Sequence, residues 1–145
     1  MAVQRNDPYA QANFLVEIDG IGGGGFAEVS GIQMATDVIE YREGGDKTNA
    51  VRKLNGLTRY GDLTLRRGIV GSLDLYQWIR AGADGAGNAA RNVGISLLDE
   101  AHQPVLRWLL IRARPIRFTG GPLNAKGTDV AVEEMVLAFD RLEVE

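Results

Sequence analysis

Residues 104–121 read Pro-Val-Leu-Arg-Trp-Leu-Leu-Ile-Arg-Ala-Arg-Pro-Ile-Arg-Phe-Thr-Gly-Gly. The run is too long, too apolar and too rich in β-formers to be a loop. Pro115 in its interior argues against a helix, because proline lacks the N–H donor and its ring clashes with the preceding turn. The remaining solution is a long strand with a bulge or bend near Pro115, where proline is tolerated. Such a strand needs partners, which the flanking segments must supply. Arg112, Arg114 and Arg117 lie on both sides of the proline, so one strand carries both core and charge.

Candidate partners appear along the whole chain. Phe14, Val16 and Ile18 alternate with Leu15, Glu17 and Asp19, the period of a half-buried strand. Phe26, Ile32 and Met34 resume β character, and residues 38–42 continue it with Gly31 as a bulge point. A hairpin across the glycine-rich 20–25 connection is the expectation for these two segments. Residues 56–67 form the next predicted strand, with Leu57, Leu63 and Leu65 on one side. One helix follows: Ser72 as N-cap, Asp74 in the first turn, Leu75, Trp78 and Ile79 on the apolar face, Arg80 in the last turn and Gly82 as the stop. Residues 81–92 read as a flexible connection.

Val93, Ile95 and Leu97 then alternate up to a turn at 101–103. After the long strand, residues 120–129 are a loop and 130–144 a final strand. Residues 135–139 are apolar on both faces, which predicts cover on both sides. Residues 1–11 read as a polar arm. Residues 43–55, opening on Gly44-Gly45, make a polar loop long enough to expect a function for it. The predicted fold is mainly β, two packed antiparallel sheets forming a small barrel or sandwich, with one amphipathic α-helix, in a single domain over 1–145.

The totals exclude several classes. With a net charge of −3 no global basic field recruits nucleic acid. Cysteine is absent, which removes disulfides, thiolate catalysis and cysteine metal sites. The first residues hold no apolar run of signal-peptide length, and no window reaches the ~18–20 apolar residues of a membrane helix. The expectation is a protein made and folded in the cytosol, leaving the cell, if at all, within an assembly.

No chemical constellation stands up. Gly20-x-Gly22-x-x-Gly25 matches the dinucleotide fingerprint formally, but a strand follows where the motif requires a helix. His102 is the only histidine and sits in a predicted turn beside Asp99 and Glu100, so a solvated turn is the better reading and a zinc site is disfavoured. Glu133 and Glu134 point to opposite strand faces and cannot share a proton; Glu134 is the candidate for burial against a partner. Arg107, Arg112, Arg114 and Arg117 lack the interleaved exposed aromatics of a nucleic-acid surface. Trp78 and Trp108 read as core, with an apolar ligand pocket between them as the alternative. No catalytic residue, cofactor or metal site is expected.

In order and spacing, the chain resembles the inner tube proteins of contractile injection systems and contractile phage tails. The resemblance is carried by Asn13-Phe-x-Val16-x-Ile18-Asp-Gly20, Phe26-x-Glu-Val29-Ser-Gly31, Tyr41-Arg-Glu-Gly44-Gly45, Leu65-x-Arg67-Gly68 and Leu75-Tyr-x-Trp78. The last third adds Arg91-Asn-Val-x-Ile95-x-Leu97, Trp108, Ala113-x-Pro115, Leu123-Asn-Ala-Lys126 and Val130-Ala-Val132-Glu133. The resemblance implies a fold like that of the haemolysin co-regulated proteins, and hexameric rings stacked into a hollow tube that a sheath drives into a target membrane. It implies partners in the sheath, the baseplate and the tube cap, possible protein cargo in the lumen, and no sequence-specific nucleic-acid recognition.

By the same resemblance, the 43–55 loop corresponds to the extended loop that reaches the adjacent ring, with the N-terminal arm assisting; Gly44, Gly45, Asp46, Lys47, Arg52 and Lys53 are its candidate ring-stacking contacts. Arg112, Arg114, Arg117 and Glu134 become candidate subunit or lumen contacts. One departure is that Phe139-Asp140-Arg141-Leu142 lacks the His-Glu pair of many relatives. The alternatives are a tube-initiating, baseplate-proximal paralogue, or a monomeric β-barrel that binds a ligand.

Overall fold

The computed structural model describes residues 2–21, 25–85 and 89–145. Among these residues nine strands and one helix follow in the order β1 (Phe14–Ile18), β2 (Phe26–Ser30), β3 (Met34–Tyr41), β4 (Arg52–Tyr60), β5 (Leu63–Gly68), α1 (Asp74–Ala83), β6 (Arg91–Leu98), β7 (Pro104–Gly120), β8 (Val132–Ala138) and β9 (Arg141–Val144).

β7 organises the molecule. Its first half pairs with β6 on one side and β9 on the other, and its second half pairs with β8. The sheet runs β1-β6-β7-β8-β5-β2, with every pairing antiparallel. Because β7 changes partners midway, the two halves of this sheet face each other across one core. Val16 and Ile18 of β1, Val93 and Ile95 of β6, and Leu110 and Ala113 of β7 meet Leu63 and Leu65 of β5 and Met135 and Leu137 of β8. Each fully buried Leu or Met there contributes about 1.5–3 kcal/mol.

The corner begins earlier than Pro115. Arg112 has φ 56°, in the left-handed region that a non-glycine residue enters at a cost of about 1–3 kcal/mol. Its N–H is held by Asn92 Oδ1 at 3.1 Å. The register against β8 then shifts between Pro115 and Arg117. Among the described residues the sheet does not close into a barrel: β1 and β2 remain its two ends.

Four expectations are corrected. β1 pairs with β6 and β2 with β5, so the hairpin across 20–25 does not form beyond a single Ile18–Ile21 bridge; Gly22, Gly23 and Gly24 lie outside the described residues. The 43–55 loop is shorter, because Arg52 and Lys53 already belong to β4. The strand over 130–144 breaks at Asp140, whose N–H bonds Ile111 O at 3.0 Å, into β8 and β9. Met135, Leu137 and Phe139 are buried while Val136 and Ala138 are only half-buried, so that segment has one core face rather than two.

The helix lies where its apolar spacing puts it, with Leu75 and Trp78 in the core. Ser72 acts through Asp74, to whose carboxylate its hydroxyl donates at 2.6 Å, and the left-handed residue is Gly85 rather than Gly82. Of the connection expected over 81–92, residues 86–88 lie outside the described part.

Candidate functional site

The feature that most demands an explanation is the β3–β4 ribbon. It is a two-stranded sheet of its own, paired from Met34↔Tyr60 to Tyr41↔Arg52. Its base is anchored: Gly61 N–H bonds Gln33 O at 3.0 Å, and the Tyr60 and Phe139 rings lie 5.7 Å apart. Gly31 makes the turn into it with φ +90°, where a Cβ would clash with Asp62 O.

Beyond the base, none of the described residues covers the ribbon's apolar side chains. Met34, Val38, Ile39, Leu54 and Leu57 are all exposed, Leu57 by 73%. An isolated two-stranded ribbon is marginal in water, and exposed apolar residues on that scale mark a binding surface. Local contacts hold its shape: Arg59 to Asp37 at 2.8 Å, and the Arg52 guanidinium 5.2 Å from the Tyr41 ring.

The turn at its tip holds the first four of the residues assigned to ring stacking. Gly44 and Gly45 sit where a Cβ would touch nothing. Asp46 accepts the Glu43 N–H at 3.0 Å and lies 3.9 Å from Arg52, which also reaches Glu43 at 3.6 Å. Lys47 is in the same exposed turn, and Lys53 stands opposite Glu40 in the ladder. The tip is therefore a compact turn closed by its own ion pairs.

A second surface lies on the outer face of β7, β8, β5 and β2. Along β8, Glu133, Met135 and Leu137 face the core, while Glu134, Val136 and Ala138 face outward. The register puts Arg117 opposite Val136 and Arg114 opposite Ala138, with Thr64 and Arg66 on β5 continuing the face. Arg114, Arg117 and Glu134 are thus brought to one face. Glu134 is engaged by Arg66 at 3.3 Å, and Arg66 also approaches Glu28 at 3.8 Å. Arg112 and Arg114 share one carboxylate at the corner, Asp140, at 3.0 and 3.1 Å.

Within the chain the buried acid is Glu133, while Glu134 is half-buried on the outward face. Glu133 pairs with Arg67 at 2.5 Å, and both are almost wholly enclosed. Arg67 also reaches Asp74 at 2.6 Å, tying β5 and β8 to the start of α1. Hydrogen bonding to Arg67 lowers the Asp74 pKa. Burial opposes the Arg67 charge, but its bonds to Asp74 and Glu133 outweigh that and raise its pKa. A signal for this cluster was present: Arg67 is in phase with Leu63 and Leu65, and Glu133 with Met135 and Leu137.

The N-terminal arm is strapped to its own chain. Val3 N–H bonds Val105 O at 2.8 Å, and Arg5 grips both oxygens of Glu100 at 2.8 Å while lying over the Tyr9 ring. His102 is an exposed turn residue with φ 61°. Trp108 lines a cleft of about 540 Å³ with Phe14, Val29, Ile32 and Leu97, and Trp78 is not part of it. Trp78 instead donates its indole N–H to Ala89 O within the core. Among the described residues no three His, Cys, Asp or Glu side chains cluster as metal ligands, and no helix is long and apolar enough to cross a membrane.

Residues 10–143 match the family model of the T4-like virus tail tube protein gp19. The chain belongs to that family. Solved structures of contractile injection systems agree with the assignment. The fold superposes with a TM-score of 0.84 on a chain of the anti-feeding prophage baseplate, at 26% identity over 97% of each chain. It superposes at 0.83 on a chain of the PVC sheath–tube complex in its extended state, at 28% identity over 95% of this chain and 91% of that one. A chain of the anti-feeding prophage cap gives 0.85 at 26% identity, covering all of this chain and 95% of that one. Hcp1 from Flavobacterium johnsoniae shares the fold at a TM-score of 0.61 with 10% identity, over 91% of this chain and 94% of that one. No curated protein sequence matches the chain. The tail tube fold seen in these neighbours is the one expected from the sequence, with an open sheet in place of a barrel.

Proposed function

We propose that the chain is the repeating structural subunit of the inner tube of a contractile injection apparatus, assembling as hexameric rings stacked around a lumen. The observation that carries this reading is the β3–β4 ribbon: it exposes aliphatic side chains and pairs with no other strand among the described residues. A subunit whose ribbon is covered by the neighbouring ring removes that cost at every repeat, and family membership supplies the tube. The tip residues Gly44, Gly45, Asp46, Lys47, Arg52 and Lys53 make the polar part of the ring-to-ring contact.

In this reading the outer face carrying Arg114, Arg117 and Glu134 lines the lumen or meets the neighbouring subunit, and Arg112 with Asp140 marks its corner. That face combines Thr64 with charges of both signs, a hydrated surface along which protein cargo slides without tight binding. The tube is made in the bacterial cytoplasm, surrounded by sheath, closed by baseplate and cap proteins, and released as part of a phage tail or tail-like particle. It performs no catalysis.

The test is a pair of substitutions on the ribbon, Val38→Lys with Leu57→Lys. Both side chains are exposed, so the subunit should keep its circular dichroism and urea midpoint. Electron micrographs should then show no tubes. Tubes of unchanged length would remove the ribbon from the stacking contact.

A further inference from the structure

The ribbon holds the one asparagine–glycine pair of the chain, Asn55-Gly56. Both residue types are depleted in strands, and side by side they are the usual signal for a tight hairpin turn. Here the pair lies inside β4 instead, and neither the polar tip nor the apolar stretch of the ribbon accounts for it.

The surroundings explain the glycine. The ladder pairs Thr36 with Thr58 and then Val38 with Asn55, so Gly56 and Leu57 both lie opposite Asp37 in a β-bulge. A Cβ on Gly56 would come within 3.2 Å of the Ile39 side chain and 3.3 Å of Asp37 O. Close approach across the ribbon therefore favours glycine at this place. Asn55 is exposed, and the described side-chain bonds nearby join Arg59 to Asp37 and Tyr41 to Glu43 rather than holding its carboxamide.

We propose that this pair is a modification site: Asn55 deamidates spontaneously by ring closure onto the Gly56 backbone nitrogen. Three features favour the closure. Glycine leaves the attacking nitrogen with no side chain beside it. The bulge interrupts the ladder, so the main chain turns more easily here than in a regular pair. A two-stranded sheet open to water has little stability with which to hold the pair flat.

The step balances without a cofactor. Gly56 N gives its proton to hydroxide or another solvent base and attacks Asn55 Cγ, forming a C–N bond. The Cγ–Nδ2 bond breaks, and Nδ2 leaves as ammonia with a proton from water. A second water opens the resulting five-membered succinimide. Opening at Cγ gives aspartate; opening at the Asn55 backbone carbonyl gives isoaspartate, whose main chain runs through one extra methylene. Either product replaces a neutral carboxamide with a carboxylate one ladder step from Asp37. The extra methylene also misaligns Lys53 and Leu54 against Glu40 and Ile39. Resting on the tube reading, the reaction is a clock on the free subunit: one left unassembled loses the ribbon shape that stacking needs.

The test incubates freshly purified, dilute protein in heavy-oxygen water at neutral and mildly alkaline pH. Proteolysis in ordinary water and mass spectrometry of the peptides follow. An asparagine takes up heavy oxygen only if it was hydrolysed during the incubation. The exposed Asn49 and Asn124 are internal controls. Label should appear at Asn55 several-fold faster than at either control, rise in proportion to hydroxide, and divide between aspartate and isoaspartate. Asn55→Gln, whose closure needs a six-membered ring, should stay unlabelled at that position. Label at Asn55 no faster than at Asn49 or Asn124 would overturn the site. So would label that appears only in urea, since the folded ribbon would then hold the pair out of reach.

A second arm reads assembly. Wild-type protein aged until the label is extensive should form fewer and shorter tubes than fresh protein, while Asn55→Gln aged alongside keeps its tube yield. Labelled wild type that stacks as well as fresh protein would overturn the clock. Fresh protein that never stacks would remove the tube reading and the clock with it, and the label alone would then decide the modification site.

Discussion

Replacing Glu133 by alanine probes the buried charge cluster that joins β5, β8 and α1. In the folded chain the Arg67 side chain is 4% exposed and is held by Glu133 and Asp74. Breaking a buried ion pair by removing one partner costs about 3–5 kcal/mol, because the other charge is left without compensation. Asp74 still holds Arg67 in the variant, and as its side chain is 31% exposed it stays ionised easily. The net loss should therefore fall at about 2–4 kcal/mol.

The control is Glu134→Ala, one residue along, where the lost pair with Arg66 is solvated and worth about 0–1 kcal/mol. Urea unfolding followed by the fluorescence of Trp78 and Trp108, in dilute unassembled protein at neutral pH, measures both. With an m-value of about 2 kcal/mol/M, the midpoint should drop by about 1–2 M for Glu133→Ala and by less than ~0.5 M for Glu134→Ala. Equal losses for the two variants, or none for Glu133→Ala, would refute the assignment of Glu133 to the core face. Substituting leucine at both Arg67 and Glu133 should restore part of the loss, since a well-packed apolar pair avoids the desolvation of both ions.

Other expectations concern the hinge and the strap. Gly31→Ala should destabilise the base of the ribbon by more than ~1 kcal/mol, because it combines a positive φ with a Cβ pressed against Asp62 O; thermal melting would show it, and an unchanged melt would argue against that turn. The bonds from Arg5 hold the Glu100 pKa down to about 2 from 4.5. A lowered carboxylate pKa stabilises the arm above the unfolded value and loses that contribution as pH falls. The Val3 amide should thus stay protected, by nuclear magnetic resonance, down to about pH 4.5 and lose protection toward pH 2. Arg5→Gln should remove that protection at neutral pH as well.

The parts of the fold that the sequence pattern exposes are those with a local cause. The spacing of Leu75, Trp78 and Ile79 marks α1, and Pro115 within an apolar run marks the corner of β7. Strand partners are different, because pairing is set by contacts between distant residues. Glycines at 20–25 suggest a hairpin, but β1 gains more by laying Val16 and Ile18 on the core beside β6. Which of Glu133 and Glu134 faces the chain's own core is a matter of register: a one-residue slip reverses every side chain. The in-phase leucines of β5 and β8 carry that information only once the two strands are known to pair. The ribbon was harder still, since β3 and β4 have no buried face from which a period can arise. Their apolar residues stay exposed in the folded chain, and the polar run over 43–55 hid the start of β4.

Negative-stain electron microscopy of the purified, unmodified protein across a concentration series tests whether this subunit builds a tube. Hollow rings with sixfold end views, stacking into tubes as concentration rises, are the predicted result. A monodisperse monomer at every concentration, with the ribbon exposed and stable in water, would contradict it.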